Sequence, residues 1–312
     1  MKKTLPPSTL DELSVPNRKF RYFDAQGANI FRSEAEGFEL VNAWWLAEAS
    51  LLAYGDAGLI DAAFDAAGLS AAGYAARFFE AGGTQCFVMH DEAAIIVAFR
   101  GTQLDDFWAK VIDISTDVHF IPVPDGAGGL VHQGFLEGLS FVWEPLRAHL
   151  GELLNGERRL WLTGHSLGAA LATLAAERLN RETAAVVQGL YTYGSPRVGD
   201  SNFKSRFAHK NLAARTFRIV NNSDLIARVP PRILYTHIGT LKFIDNAGHL
   251  HHIDDESQIL SDTNALQSVQ PFLHRLRFLG HALSGFKLLV PGFLADHAPV
   301  YYALHAWNNY DQ

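Results

Sequence analysis

The sequence predicts an α/β fold, with a mostly parallel central sheet flanked by helices on both faces. Apolar, β-prone runs alternate with helical repeats along the second half of the chain, and one buried-strand pattern breaks at a glycine-rich turn directly into an alanine-rich helix. The predicted elements there are a helix over about 136–154, a strand over 159–163, a helix from Leu167 to Leu179, a strand over 186–193, a short helix over 200–209 and a strand over 215–220.

The first hundred residues predict an arm, a buried helix and a hairpin. Residues 1–30 are polar and contain prolines, which is typical of an arm laid over the surface. The segment Phe38–Tyr54 has tryptophans and aliphatic residues at helical spacing and predicts a buried helix. Residues 86–90 and 94–99 predict two strands of a hairpin. The alanine-rich segment 57–76 has no assigned role.

Length and composition limit the classes of protein to which the chain can belong. It has 312 residues, 48% of them hydrophobic and 19% charged, enough to bury a sizeable core. No repeat, low-complexity tract or linker divides it, so we expect one domain over residues 1–312 and a monomer. The net charge of −7, without any basic stripe, predicts no nucleic-acid partner.

Membrane insertion and disulfide bonding are also disfavoured. The longest apolar region, roughly 278–307, is interrupted by Lys287, Pro291 and Asp296, whereas a spanning helix needs ~20 continuous apolar residues. We therefore expect no integral membrane segment. Cys86 is the sole cysteine, and the first residues lack the apolar stretch of a Sec-type signal peptide. The expected location is the cytoplasm, or the exterior after a signal-independent bacterial export.

The most informative motif is Gly164-His165-Ser166-Leu167-Gly168, which lies between the predicted strand and the alanine-rich helix. A serine on a sharp strand-to-helix turn holds its hydroxyl clear of the backbone. Glycines two residues to either side remove side chains that would clash there. The motif therefore predicts Ser166 as a catalytic nucleophile.

A serine hydroxyl needs a histidine to take its proton and an acid to fix the histidine tautomer. In α/β-hydrolases these residues follow in the order serine, acid, histidine. Thr102, Ser166, Ser195 and Asp224 all follow predicted strand ends, where ligands bind in parallel sheets. This favours Asp224 as the acid. Asp200 and Asp245 are alternatives, and a helix-capping role accounts for Asp200.

The histidine is chosen from 14 in the chain. His297 follows Asp296 at a polar break before an aromatic-rich terminal helix, late enough to complete the expected order. His249, His251 and His252 are the alternatives. The surrounding cluster 248–255 also suggests metal binding, but its spacing matches no closed ligand set, so we predict no metal and no cofactor.

Taken together, these motifs resemble the class 3, fungal-type lipases of the α/β-hydrolase fold. The resemblance rests on the ordered segments Phe99–Thr102, Val131–Phe135, Gly164–Gly168, Tyr193–Asp200, Asn221–Val229 with the prolines after it, and Asp296-His297. It implies a mostly parallel sheet with lid or cap helices. It also implies that Ser166 is the nucleophile, His297 the base and Asp224 the orienting acid.

The resemblance further implies which groups bind the transition state and the substrate. Thr102 and the N–H of Leu167 would form the oxyanion hole. A lid candidate covers residues 103–115, where an amphipathic pattern suits a mobile helix at a lipid surface; a fixed, core-packed helix is the alternative. The other expected substrate-binding or lid positions are Leu104, Phe107, Trp108, His165 and Val229.

A second amphipathic pattern lies in an insertion over about 260–294. Its apolar residues recur at three- and four-residue steps between Leu266 and Leu289. We expect a second cap or an interfacial docking element there, with simple structural packing as the alternative.

The expected function is that of a serine carboxylic-ester hydrolase, a triacylglycerol lipase that cleaves acylglycerols through an acyl-Ser166 intermediate. A phospholipase A1 or a feruloyl-type esterase on the same scaffold is the alternative among enzymes. An inactive lipid-binding module is the alternative from another class. Such a module would gain nothing from retaining Ser166, Asp224, His297 and Thr102 together, which argues against this alternative. The expected partners are a lipid or small ester substrate and a transient lipid interface.

Overall fold

A computed structural model of the chain describes residues 1–102, 121–154, 157–253 and 290–311. The lid candidate 103–115, with Leu104, Phe107 and Trp108, lies outside the described residues. So does most of the insertion predicted over about 260–294.

A central eight-stranded sheet organises the fold, in the order β1-β2-β3-β6-β7-β8-β9-β10, and β4 with β5 forms a small separate pair. The strands are β1 Ala75–Ala81, β2 Thr84–His90, β3 Ala94–Phe99, β4 Pro122–Pro124, β5 Leu130–His132, β6 Arg159–His165, β7 Val187–Tyr193, β8 Thr216–Asn221, β9 Thr240–Ile244 and β10 Leu250–Ile253. Neighbours from β3 to β9 in this order pair in parallel, and the strands at both edges pair antiparallel. The mostly parallel sheet that the sequence predicts is confirmed.

Helices cover both faces of this sheet. They are α1 Leu10–Leu13, α2 Leu40–Leu52, α3 Ala57–Ala67, α4 Gln133–Leu153, α5 Leu167–Glu182, α6 Ser201–Ser205, α7 Gly292–Ala295 and α8 Pro299–Tyr310. Short 3-10 turns lie at Gln26–Ala28, Arg206–Asn211, Ala213–Arg215 and Ile226–Arg228.

The alternation of side chains along β6 explains why helices pack against both faces of the sheet. Leu160 and Leu162 point into the core shared with α4 and α5, whereas Trp161 points into the core shared with α2 and α8. Each is fully buried, and burying one such aliphatic side chain contributes roughly 1.5–3 kcal/mol. A strand that is apolar on both faces must lie inside the sheet, and β6 is a central strand.

Several predicted elements match the structure closely, including the buried helix α2, the hairpin β2-β3 and the helix α5. Asp200 caps α6, since its carboxylate accepts a hydrogen bond from the Phe203 N–H at 2.8 Å. Strands β1, β9 and β10 were not predicted. Most side chains of β1 and β10 are exposed or partly exposed, and those of β9 are buried or partly exposed. These strands at the two ends of the sheet depend on pairing with their neighbours more than on their own hydrophobicity.

The predicted arm over residues 1–30 lies against α2 and α8 and contributes to the core. The Trp307 indole donates to the Met1 carbonyl oxygen at 3.0 Å, and Leu13, Tyr22 and Phe23 are buried. These apolar residues follow no helical or strand period, so the sequence pattern did not indicate their burial.

Candidate active site

Ser166 occupies the turn between β6 and α5 with φ 57° and ψ −127°. A side chain at positive φ costs on the order of 1–3 kcal/mol, and such backbone strain is concentrated at functional sites. The Ser166 N–H donates to the Tyr193 carbonyl oxygen at 3.0 Å, which fixes the turn against the end of β7. The structure therefore has the strained strand-to-helix turn that the motif predicts.

Close backbone contacts require both glycines of the motif. A Cβ on Gly164 would collide with the backbone of Gly168, and a Cβ on Gly168 would collide with the carbonyl oxygen of Phe99. Without side chains at these positions, the start of α5 can lie directly against the end of β3. The first turn of α5 therefore lies beside Phe99 and Arg100, just before Thr102.

Asp224 and His297 form a buried acid-base pair. The distance between His297 Nδ1 and Asp224 Oδ2 is 2.8 Å, and the side chain of Asp224 is fully buried. The Ile226 N–H donates to Oδ1 at 2.8 Å, and the Tyr302 hydroxyl donates to Oδ2 at 2.5 Å. Every one of these contacts favours an ionised, fixed carboxylate.

The electrostatics of this pair determine the histidine tautomer. Burial by itself raises the pKa of Asp224, but the adjacent His297 ring and the hydrogen bonds outweigh it, so the pKa lies below its ordinary value. An ionised carboxylate only accepts hydrogen bonds, so His297 Nδ1 carries a hydrogen. The basic lone pair of a neutral His297 therefore lies on Nε2.

The pair lies over the end of β7, beside the Ser166 turn. A Cβ on Gly194, the residue after β7, would lie 2.6 Å from Asp224 Oδ2 and 2.8 Å from His297 Nδ1. Gly194 has φ 56°, a conformation that glycine adopts without strain. Tyr193, the residue before Gly194, accepts a hydrogen bond from the Ser166 N–H. The end of β7 therefore brings all three predicted catalytic residues to one edge of the sheet.

Asp296 holds the acid loop and the histidine loop together. Its Oδ2 accepts from Asn222 Nδ2 at 3.0 Å and from the Ser223 N–H at 3.1 Å. The Asn221 amide donates to the Asp296 carbonyl oxygen at 3.0 Å. Burial raises the pKa of Asp296 to about 6.

His165, which was predicted to bind substrate or to contact a lid, is bonded to protein groups at both ring nitrogens. Its Nε2 lies 2.7 Å from the His297 carbonyl oxygen and its Nδ1 lies 2.8 Å from the Tyr54 hydroxyl. Because a carbonyl only accepts, Nε2 carries the hydrogen and Nδ1 accepts from Tyr54. Burial holds the pKa of His165 well below its usual range, so the ring stays neutral.

The predicted oxyanion groups lie at the expected strand and helix ends. Thr102 is half-buried after β3, and Gly101 before it lies so close to the Tyr54 hydroxyl that a Cβ would collide with it. Leu167 is the first residue of α5, where N–H groups lack intrahelical partners and the helix dipole favours negative charge. The oxyanion role of both residues stays a prediction.

The other candidate residues have structural surroundings of their own. Asp245 accepts from His251 Nε2 at 2.8 Å beside the β9-β10 turn, and this bond lowers its pKa to about 2. His252 contacts Lys242 on the same edge strands. Val229 is buried, and its carbonyl accepts from the Arg197 N–H at 2.8 Å. Its role in substrate binding stays a prediction.

Among the residues that the structure describes, no group of three or more histidine, cysteine or acidic side chains is arranged to hold a metal ion. In the same ranges, none of the helices is both long and apolar enough to cross a membrane.

Sequence reasoning missed Tyr54, Tyr302 and Asp296 as residues of this site. Tyr302 follows His297 closely in the aromatic run Tyr301-Tyr302, which was a usable signal. Tyr54 lies 111 residues before His165, and no sequence pattern connects the two.

Comparison with known proteins adds to the fold and the site. Residues 96–234 match the class 3 lipases. The chain is also 25% identical to a triacylglycerol lipase of known structure whose catalytic centre is described as a serine protease triad, with a TM-score of 0.58 over 75% of this chain and 90% of that chain.

The relatives that this chain resembles are named for different lipid substrates. The chain is 35% identical over 126 residues to a secreted mono- and diacylglycerol lipase of Fusarium solani, a match that covers 38% of this chain and 35% of that one. It is 31% identical over 185 residues to a phospholipase A1 of Oryza sativa subsp. japonica, covering 48% of this chain and 44% of that one. The chain thus spans less than half the length of these relatives.

Proposed function

We propose that this protein is a serine carboxylic-ester hydrolase that cleaves acylglycerols, with Ser166 as nucleophile, His297 as general base and Asp224 as its orienting acid. The observation that carries the proposal is the 2.8 Å bond between Asp224 Oδ2 and His297 Nδ1. This pair lies over the end of β7, and the strained Ser166 turn is hydrogen-bonded to the same strand end. A binding module has no use for a buried carboxylate that selects one histidine tautomer.

The reaction follows from these roles. His297 Nε2 takes the Ser166 hydroxyl proton as Oγ attacks the ester carbonyl carbon, and the carbonyl oxygen becomes an oxyanion that accepts from the N–H groups of Thr102 and Leu167. The intermediate then expels the alcohol, to which His297 returns the proton, and leaves an acyl group on Ser166. Water attacks this ester with His297 again as base, releasing the fatty acid and restoring Ser166.

Covalent labelling tests the nucleophile directly. A fluorophosphonate probe is expected to modify the wild-type protein at Ser166 only, and Ser166→Ala is expected to lose labelling and to lower kcat by roughly 10⁶. Ser195→Ala is the matched control, because Ser195 also follows a strand at this edge but donates to its neighbour Pro196. A folded Ser166→Ala variant that retained turnover would sink the proposal.

For the substrate, we propose triacylglycerols, presented at a lipid interface. The similarity to a triacylglycerol lipase of known structure supports this assignment. Phospholipase A1 activity is the second candidate, because of the similarity to the rice phospholipase. Initial rates on emulsified trioctanoin, dioctanoin and phosphatidylcholine vesicles, normalised to labelled active sites, discriminate between them. A higher rate on phosphatidylcholine than on either glyceride would replace the lipase assignment with the phospholipase one.

A further inference from the structure

An apolar pocket opens beside the proposed reacting groups. Thr102 and His297 both line it, so the pocket adjoins the predicted oxyanion residue and the proposed base. One wall consists of Leu10, Leu13 and Val15, from α1 and the residue stretch after it. Val290, Leu294 and Pro299, on either side of His297, also line the pocket. Segments from the two ends of the described chain thus enclose it.

The chemistry of the lining selects the part of the ester that fits. No lysine, arginine, aspartate or glutamate of the described residues lines the pocket, and the lining His165 and Tyr54 are hydrogen-bonded to each other. A glycerol hydroxyl or a phosphate would lose its water there without finding new partners in these walls. An alkyl chain instead gains from burial, by a factor of roughly four in kcat/KM for each methylene.

The wall formed by α1 is fixed to the chain that carries His297. The Val290 N–H donates to the Ser8 carbonyl oxygen at 2.8 Å. The Tyr301 hydroxyl donates to the Pro6 carbonyl oxygen at 2.9 Å and lies 3.0 Å from Ser8 Oγ. Because Tyr301 uses its one hydrogen for Pro6, Ser8 is the donor in the second bond. These bonds on both sides of His297 hold the segment in one position.

We propose that the N-terminal segment Leu10–Val15 is a specificity-determining wall of the pocket that receives the acyl chain of the substrate. This inference rests on the proposed ester hydrolysis. The segment has no catalytic role in it. Leu13 is buried, whereas Leu10 is partly exposed and lines the pocket, so Leu10 is the position where side-chain size can change with the least effect on folding.

The test compares acyl-chain lengths on one protein preparation. The kcat/KM values for p-nitrophenyl octanoate and p-nitrophenyl acetate are measured for wild type, Leu10→Trp and Leu10→Ala. The octanoate-to-acetate ratio is expected to fall at least about tenfold in Leu10→Trp, which fills the pocket, and about threefold in Leu10→Ala, which removes contacts with the chain. Inactive or unfolded protein lowers both rates equally and cancels in the ratio.

Leu5→Trp and Leu5→Ala are the matched controls, since Leu5 lies in the same N-terminal arm but before the Leu10–Val15 segment, does not line the pocket and is 37% exposed. Their ratios are expected to equal that of the wild type. If both Leu10 variants hydrolyse acetate with an unchanged ratio, the inference is wrong while the proposed function stands. If wild type hydrolyses neither ester and takes up no fluorophosphonate, the proposed function fails, and this inference with it.

Discussion

His165 Nε2 lies 2.7 Å from the backbone carbonyl oxygen of His297, so the residue before the proposed nucleophile is bonded to the residue proposed as its base. The two rings lie 4.4 Å apart between centroids. Tyr54 extends this connection, because its hydroxyl donates to His165 Nδ1 and also lies against Gly101, before the predicted oxyanion residue. One hydroxyl thus contacts both the turn that carries Ser166 and the turn that carries Thr102.

Tyr54→Phe is expected to lower kcat about five- to tenfold with little change in KM. The ring that lines the pocket is retained, but His165 Nδ1 is left buried without its donor, a loss of roughly 1 kcal/mol or more. Steady-state kinetics on a soluble ester measure the effect. Tyr191→Phe is the control, because the Tyr191 hydroxyl bonds Glu39 and Gly37 away from the site. Equal kcat values for the two variants would contradict a positioning role for Tyr54.

Asp224→Asn is expected to lower kcat by about 10⁴, as the corresponding change does in serine proteases. An amide at this position favours the wrong tautomer of His297 while it keeps the size of the side chain. Asp200→Asn and Asp245→Asn are isosteric controls at the two alternative acids. Both are expected to keep kcat within about twofold, since asparagine also caps helices at position 200 and Asp245 is bonded to His251 at the β9-β10 turn. A larger loss at either control than at Asp224 would reassign the acid.

The sequence was sufficient to predict what depends on local patterns. The Ser166 turn, its two glycines and the central strands each follow from a few neighbouring residues, because sterics and hydrophobic period act over short stretches. The order of serine, acid and histidine in α/β-hydrolases, together with a predicted strand end before Asp224, selected Asp224 and His297. The structure brings these two residues to bonding distance.

The contacts that support the site were beyond sequence reasoning. Tyr54 and His165 are 111 residues apart, and Tyr302 and Asp224 are 78 residues apart. Such bonds depend on how the helices pack against the sheet. A tyrosine in the sequence does not indicate them, because tyrosine is also common in protein cores that contain no catalytic residue. The burial of Leu13 and Phe23 was missed for the same reason, since it depends on packing against distant parts of the chain, as between the rings of Phe23 and Trp45.

Gly168→Ala is expected to destabilise the fold by about 3 kcal/mol, because its Cβ would overlap the rigid carbonyl group of Phe99. Gly151→Ala is the matched control. Gly151 lies in α4 with no heavy atom within 4 Å of a new Cβ, and alanine there is expected to stabilise by roughly 0.5–1 kcal/mol. Denaturant unfolding measures both. If the two substitutions shift the free energy of unfolding in the same direction, the close contact between Gly168 and Phe99 does not determine the stability of the variant.

Glu48 provides a test of how the N-terminal arm is held. This fully buried carboxylate on α2 accepts from the Phe23 N–H and from the Trp44 indole, and Lys3 Nζ lies 3.8 Å away. Burial raises the pKa of Glu48 to about 7, against the lowering effects of Lys3 and the hydrogen bonds. The folded protein therefore keeps a proton on Glu48 at pH values where the unfolded chain has lost it.

Glu48→Gln is expected to make the free energy of unfolding less dependent on pH. In wild type, the Glu48 contribution is largest below the unfolded pKa of 4.5 and is lost as the pH rises toward 7, because folding must take up a proton. Between pH 5 and pH 8 this loss is up to about 2.5 kcal/mol, and glutamine, which cannot ionise, does not suffer it. Urea unfolding at both pH values measures the difference, with the exposed Glu12→Gln as control. Parallel pH dependence in wild type and Glu48→Gln would show that Glu48 is already ionised in the folded protein at pH 5, with Lys3 as its counter-ion.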